Sequence, residues 1–163
     1  MSKHKEEKTN VMRVLEQKKI AYTAHTYPHE EGVAVDGVTV AQSMGFDPAI
    51  VFKTLVARGA SKQYYVFDVP VAENLDLKKA AKAVGEKSIE MIHQKELLPL
   101  TGYVHGGCSP VGMKKLFPTV FHETAENLET MIVSAGKIGY QVELAPRDLA
   151  ALVRASFADL VAE

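Results

Sequence analysis

The 163-residue chain reads as an α/β fold, a single domain with a mixed, largely antiparallel sheet. Three observations predict it. Residues 51–58 and 64–69 are two runs rich in β-branched and aromatic side chains. Gly59-Ala60-Ser61-Lys62-Gln63 joins them with a length that suits a hairpin loop. A second strand pair, 131–134 and 140–144, brackets Ala135-Gly136-Lys137-Ile138-Gly139. Segments of helical spacing surround these pairs, and consecutive strands argue against a doubly wound parallel sheet.

In chain order, residues 1–8 are charged and predict a frayed tail, so the domain is expected over 9–163. Thr9 or Asn10 suits a helix cap, with Val11, Val14, Leu15 and Lys18 at helical spacing. A short strand over 21–27 leads into a proline loop over 28–32 and a turn at Asp36-Gly37. Residues 38–44 predict a second helix, stopped by Gly45 and Pro48. After the hairpin and Pro70, Leu75-Asp76 opens a helix to about Val84, closed by Gly85. Residues 88–92 predict a strand, and 93–98 a short helix ending before Pro99. A strand start is expected at Tyr103 and another strand over 119–123. Pro146 suits the first turn of a last helix carrying Leu149, Leu152 and Val153 on one face.

Composition excludes several classes. Hydrophobic residues make up 47% and charged residues 24%, the balance of a soluble globular protein. No apolar run reaches the roughly 18 residues of a membrane span, and the first residues lack the apolar core of a secretion signal. The single cysteine fits a reducing compartment, so a cytoplasmic location is expected. A formal net charge of −1 leaves nucleic-acid binding to a local basic patch.

Two segments point to chemistry. Lys53 lies in the apolar run Val51-Phe52-Lys53-Thr54-Leu55-Val56, on one strand face with Val51, Leu55 and Ala57. Its charge there is costly without a partner or an anionic ligand; the competing reading is a lysine snorkelling from a sheet edge. Gly106-Gly107, followed by Cys108, Ser109 and Pro110, lets bare backbone N–H groups approach a ligand, or else forms an ordinary tight turn. Ser134-Ala135-Gly136-Lys137 fails as a phosphate loop, because Met131 and Ile138 occupy positions that need glycine and Ser or Thr. A strand-to-strand turn with Ser134 as a substrate contact is the better reading. Cys108 has only His105 nearby as a base, and Pro110 and Val111 break a nucleophile-elbow pattern. His25 and His29 span a strand and a loop, so no metal site is expected. Lys78, Lys79 and Lys82 form a basic stripe, with Lys114-Lys115 after the glycines; they read as a solvated face or as phosphate contacts.

These residues resemble a known family. Phe52-Lys53-Thr54-Leu55 combined with Gly106-Gly107, Ser109-Pro110, Gly112 and Lys114-Lys115 is similar to the YbaK/EbsC group of Cys-tRNA(Pro)/Cys-tRNA(Cys) deacylases. More distantly, the chain resembles the editing insertion of bacterial prolyl-tRNA synthetases. The likeness runs from His25-Thr26-Tyr27 to Phe157-Ala158-Asp159 and includes Ser134 and Gly136-Lys137. It implies a barrel-like sheet surrounded by helices, no metal or cofactor, and trans-editing of mischarged tRNA. It implies Lys53 as the catalytic lysine, with Tyr27, Asp36, Thr54, Gly106, Gly107, Ser109, Ser134 and Gly136 around the substrate. Lys78, Lys79, Lys82, Lys114, Lys115 and Lys137 would face tRNA.

Three positions depart from the family's pattern. Asp36 stands for an aromatic residue, Gln141 for an acidic one and Ala135 for a glycine. The resemblance further implies that the substrate's own thiol attacks its ester, and that prolyl-tRNA synthetase is a partner. The competing functions are a deacylase for another mischarged tRNA such as Ala-tRNA(Pro), and a non-catalytic module binding tRNA ends or aminoacyl-adenylates.

Overall fold

The computed structural model describes residues 8–162. Most of the expected N-terminal tail lies outside the described residues. Its last residue, Lys8, donates to Glu16 Oε1 at 2.9 Å. Helix α1 (Asn10–Gln17) starts at Thr9, whose hydroxyl accepts from the Met12 N–H, and buries Val11, Met12 and Leu15. After strand β1 (Thr23–Thr26) comes α2 (Gly37–Met44). The turn expected at Asp36-Gly37 is a helix start instead: the Asp36 carboxylate accepts from both the N–H and the hydroxyl of Thr39. Gly45 ends α2 at φ 79°, a left-handed conformation that glycine adopts without strain.

The predicted hairpin is present as β2 (Phe52–Gly59) and β3 (Tyr64–Pro70), in antiparallel register from Phe52–Pro70 to Arg58–Tyr64. Helix α3 (Leu77–Val84) is capped by Asp76, which accepts from the N–H groups of Lys78 and Lys79. Strand β4 (Ile89–Met91) pairs with only the far end of β2, at Ala57–Gly59. Helix α4 (Gln94–Thr101) runs through Pro99, where a stop was expected. Proline removes one backbone donor there, but the Thr101 hydroxyl donates to Leu97 O and the Gly102 N–H to Leu98 O, which closes the last turn.

Strand β5 (Thr119–His122) follows a long loop; no strand begins at Tyr103, whose phenol instead donates to Val111 O inside that loop. A 3-10 turn over Glu123–Asn127 leads to β6 (Met131–Ser134) and β7 (Tyr140–Leu144), the second predicted pair. Helix α5 (Pro146–Val153) buries Leu149, Ala150 and Val153. Strand β8 (Ser156–Ala158) was not expected; it pairs in parallel with β5.

The strands form two sheets, β1-β7-β6 and β4-β2-β3-β5-β8. The barrel-like expectation is corrected here. The sheets meet at one parallel bridge, Val51–Ile132, and do not close into a barrel. The larger sheet is covered on both faces. Phe52, Val56, Val66 and Phe121 join a core with residues of α1, β6, β7 and α5, while Ala57, Tyr65, Phe67 and Val69 pack with Ala80 and Ala81 of α3. Strand β2 is thus buried by neighbours on both faces, yet β4 leaves its N-terminal half uncovered along the edge. No helix among the described residues is long and apolar enough to cross a membrane.

Candidate active site

A cavity of about 300 Å³ opens where β2 leaves β4 and approaches β6. That is the lower end of the range for small-molecule sites. Its wall is mostly apolar: Val35 and Val40 of the α2 region, Val51 and Phe52, Val71, and Leu97 of α4. Set into it are Lys53 and Thr54 of β2, Tyr27 after β1, Asp36, His105, Gly106, Cys108, Ser134 of β6 and Gln141 of β7.

Lys53 is half-buried. Burial pulls its ammonium below the usual lysine range, and the negative charge of Glu73, just beyond β3, partly offsets this. The lysine therefore lines a largely apolar cavity, and Glu73 is the acidic group that supports its charge. Its neighbour Thr54 donates its hydroxyl proton to Asp68 Oδ1 across the hairpin. Asp68 is fully buried, its second oxygen has no hydrogen-bond partner among the described residues, and burial pushes its carboxyl up to about 7. Tyr27 is buried with its phenol raised for the same reason, and its backbone N–H donates to Gly139 O. Ser134 and Gln141 are register partners on β6 and β7. The Ser134 hydroxyl accepts from the Gly136 N–H at 3.1 Å, while Gln141 Oε1 has no partner among the described residues.

Two hydroxyl or thiol groups of the wall, those of Cys108 and Thr54, are not activated as nucleophiles. Cys108 is buried, and burial together with the nearby Asp68 charge pushes its thiol up to about 12, so it stays protonated at neutral pH. The Thr54 proton is committed to Asp68. His25 is paired with Glu143 at 2.8 Å, and His29 Nδ1 lies 3.1 Å from Tyr27 O. Among the described residues no group of three or more His, Cys, Asp or Glu side chains is placed to hold a metal ion.

The glycine-rich loop divides in two. Gly106 lines the cavity at φ 89°, and a Cβ there would stand 2.7 Å from Ala34 Cβ. Gly107 does not line it; a Cβ there would meet the backbone of Lys137 and Ile138 at 3.0–3.3 Å. Ser109 is buried and accepts from the Val111 N–H, and Gly136, at φ 92°, packs against Tyr103 and Val11. Gly107 and Ser109 shape the loop, and Gly136 the turn between β6 and β7, rather than the wall.

The lysines expected to face tRNA also lie off the cavity wall. Lys79 is tied to Asp159 and to Val161 O, Lys114 reaches Pro99 O, Lys115 stands over Phe117 and Lys137 over Tyr140. Lys78 and Lys82 belong to α3. The sequence reading missed Asp68, although the signal that found Lys53, one charge in an apolar strand, is repeated in Tyr64-Tyr65-Val66-Phe67-Asp68-Val69.

Residues 32–152 match the model of the aminoacyl-tRNA editing domain family. A protein of Enterococcus faecalis (strain ATCC 700802 / V583), named as a candidate Cys-tRNA(Pro)/Cys-tRNA(Cys) deacylase, EbsC, is 45% identical over 161 residues, 98% of each chain. Among solved structures, a candidate trans-editing enzyme for prolyl tRNA synthetase is 26% identical, with a TM-score of 0.79 over 94% of this chain and 95% of that one. A hypothetical protein, APE2540, shares the fold with a TM-score of 0.81 at 19% identity, covering 93% and 99% of the two chains.

Proposed function

The chain belongs to the aminoacyl-tRNA editing domain family, and from that premise we propose that it is a trans-editing deacylase that clears cysteine from mischarged tRNA(Pro) and from tRNA(Cys). The observation that carries the reading is a small cavity holding a half-buried ammonium, Lys53, beside a cysteine, Cys108, whose thiol burial keeps protonated. An aminoacyl ester is already activated, so the attacking group can come from the substrate.

A cysteinyl thiol, with a free pKa of about 8.5, is a few per cent thiolate at neutral pH, and an adjacent ammonium raises that fraction. In the proposed reaction the thiolate sulfur attacks its own carbonyl carbon. The carbonyl oxygen gains negative charge, and the backbone N–H of Gly106, a residue of the cavity wall, is the proposed donor to it. Collapse breaks the bond to the ribose oxygen, which leaves with a proton, and a four-membered thiolactone remains. Water then opens its carbon–sulfur bond to give free cysteine. Alanine has no such nucleophile and serine a far less acidic one, so the chemistry selects cysteine even where the pocket wall is permissive. Tyr27, Thr54, Ser134 and Gln141 supply the polar contacts that orient the ester.

With a formal net charge of −1, the protein should hold tRNA weakly and read little of its sequence. Selection of the tRNA then falls to a partner, which we take to be prolyl-tRNA synthetase. The test is deacylation of Cys-, Ala- and Ser-tRNA(Pro) by wild type and Lys53→Ala. Cysteine-selective turnover that vanishes in the variant supports the reading. Equal clearance of alanine moves the function to a broader editing enzyme. No turnover of any ester overturns it.

A further inference from the structure

Asp68 lies behind the cavity wall, bonded to Thr54, which lines it. Thr54 and Asp68 are register partners on β2 and β3. The flanking backbone bonds fix which kind of pair they are. The Val71 N–H donates to Val51 O and the Gly59 N–H to Gln63 O, so the odd-numbered residues of β2 exchange hydrogen bonds with β3. Thr54 and Asp68 are therefore a non-hydrogen-bonded pair, the kind in which opposed side chains come closest. Their side chains bond directly, hydroxyl to carboxylate. A carboxylate is acceptor-only, so the Thr54 proton must point at Asp68, and the remaining lone pairs of Thr54 Oγ1 are left for the cavity that Thr54 lines.

Burying a carboxyl with one oxygen unpartnered is costly, and nothing in the packing demands it. Thr54 and the thiol of Cys108 face Asp68 from β2 and from the glycine-rich loop, and its register partner on β5 is the apolar Phe121. Among the described residues no cation balances it; burial raises its pKa and the Thr54 bond alone opposes that.

We propose that Asp68 is a positioning residue that fixes the Thr54 hydroxyl as a hydrogen-bond acceptor toward the substrate's aminoacyl group, where it receives an N–H or S–H. Protonated Asp68 can donate to Thr54 instead, which frees the Thr54 proton to turn into the cavity and reverses the polarity of that contact. The carboxyl's near-neutral titration places this reversal within the working pH range. The inference rests on the proposed use of the cavity for an aminoacyl ester.

Two measurements test it, one of them without substrate. In the ligand-free protein, carbon-13 NMR of the Asp68 carboxyl should show titration near neutrality in wild type and in Thr54→Ser. In Thr54→Val, which removes the donor that favours the ionised form, the midpoint should move up. A midpoint in the ordinary carboxylate range, or one indifferent to Thr54→Val, overturns the proposal whatever ester is cleaved. With Cys-tRNA(Pro), kcat/KM rises between pH 5.5 and 8.5 with the substrate's thiolate fraction in every variant, and wild type should add a second limb that follows the Asp68 titration measured by NMR. Asp68→Asn should remove that second limb, leaving the thiol-dependent rise, and lower kcat/KM at pH 8 by about tenfold, the scale of one hydrogen bond. It should add little to Thr54→Val, while Thr54→Ser should retain most activity. An Asp68→Asn enzyme whose pH profile per folded molecule runs parallel to that of wild type, so that their ratio does not change with pH, overturns it. If wild type cleaves no cysteinyl ester the proposed function falls and the substrate contact falls with it, while the NMR titration separately decides whether Asp68 fixes the Thr54 hydroxyl.

Discussion

The hairpin β2–β3 and the glycine-rich loop over 102–115 both stood out in the sequence, and the structure uses them differently. The hairpin places charge in and behind the cavity: half-buried Lys53 at its wall, fully buried Asp68 behind it, and Thr54 between the cavity and that carboxyl. The loop contributes wall at Gly106, His105 and Cys108, and otherwise spends its special residues on its own shape. Gly107 lets the loop lie against the backbone at 137–138, and Ser109 and Tyr103 satisfy Val111. A charge in an apolar strand costs several kcal/mol unless something offsets it, so it points to chemistry. A glycine has several structural uses, and its presence alone does not distinguish them.

Substitutions can break this contrast. The largest effect belongs to Lys53→Ala, expected to lower single-turnover deacylation of Cys-tRNA(Pro) by at least about a thousandfold, with thermal unfolding unchanged within a few degrees. In the proposed reaction the ammonium acts on the substrate's thiol, and because burial opposes its charge it should add little to folding. A large loss of stability instead would make Lys53 a structural residue.

Next comes the pH dependence of stability. The Asp68 carboxyl is raised from 3.8 to about 7 in the fold. Between those values the folded protein holds a proton that the unfolded chain has released, so stability falls as pH rises. The contribution is fully present below about pH 4 and lost above about pH 7. At 1.4 kcal/mol per unit this amounts to about 4 kcal/mol. Urea unfolding of wild type and Asp68→Asn across pH 4–8 should converge at low pH and favour the variant at pH 8. A constant difference would place the carboxyl in the ordinary range.

Gly106→Ala and Gly107→Ala sharpen the division within the loop. Each should destabilise by roughly 1–3 kcal/mol, one through its left-handed backbone and contact with Ala34, the other by overpacking on the 137–138 turn. Only Gly106→Ala should also impair turnover per folded molecule, because only Gly106 lines the cavity. The smallest effects are expected at α3. Lys78→Ala and Lys82→Ala should each raise KM for tRNA by less than about threefold at low salt, and the difference should fade as ionic strength rises.

Much of this was legible in the sequence because the signals were local. The hairpin, the β6–β7 pair, the Thr9 cap and the Gly45 and Gly85 stops depend on neighbouring residues. Strand β8 was not legible: Ser156-Phe157-Ala158 is three residues long, and what makes it a strand is β5, more than thirty residues away. The open seam between the sheets was equally hidden, since it depends on β4 ending at Ala57 and on the single Val51–Ile132 bridge. Asp36 read as part of a turn because a capping aspartate and a turn aspartate look alike until Thr39 binds it. Of the residues expected around the substrate, Lys53, Thr54, Tyr27, Asp36, Gly106 and Ser134 are brought by the fold to one cavity. Gln141 and Cys108 could be placed in its wall only by the pairing of β7 and the path of the loop.

The most direct test of thiol-assisted clearance is the rate of deacylation of S-methylcysteinyl-tRNA(Pro) beside cysteinyl-tRNA(Pro). Methylation keeps the ester, the amino group and nearly the size of the side chain, and removes the nucleophile. A loss of at least a hundredfold is the predicted result. Equal rates for the two esters would show that water, not the substrate's sulfur, attacks the carbonyl, and would contradict the account.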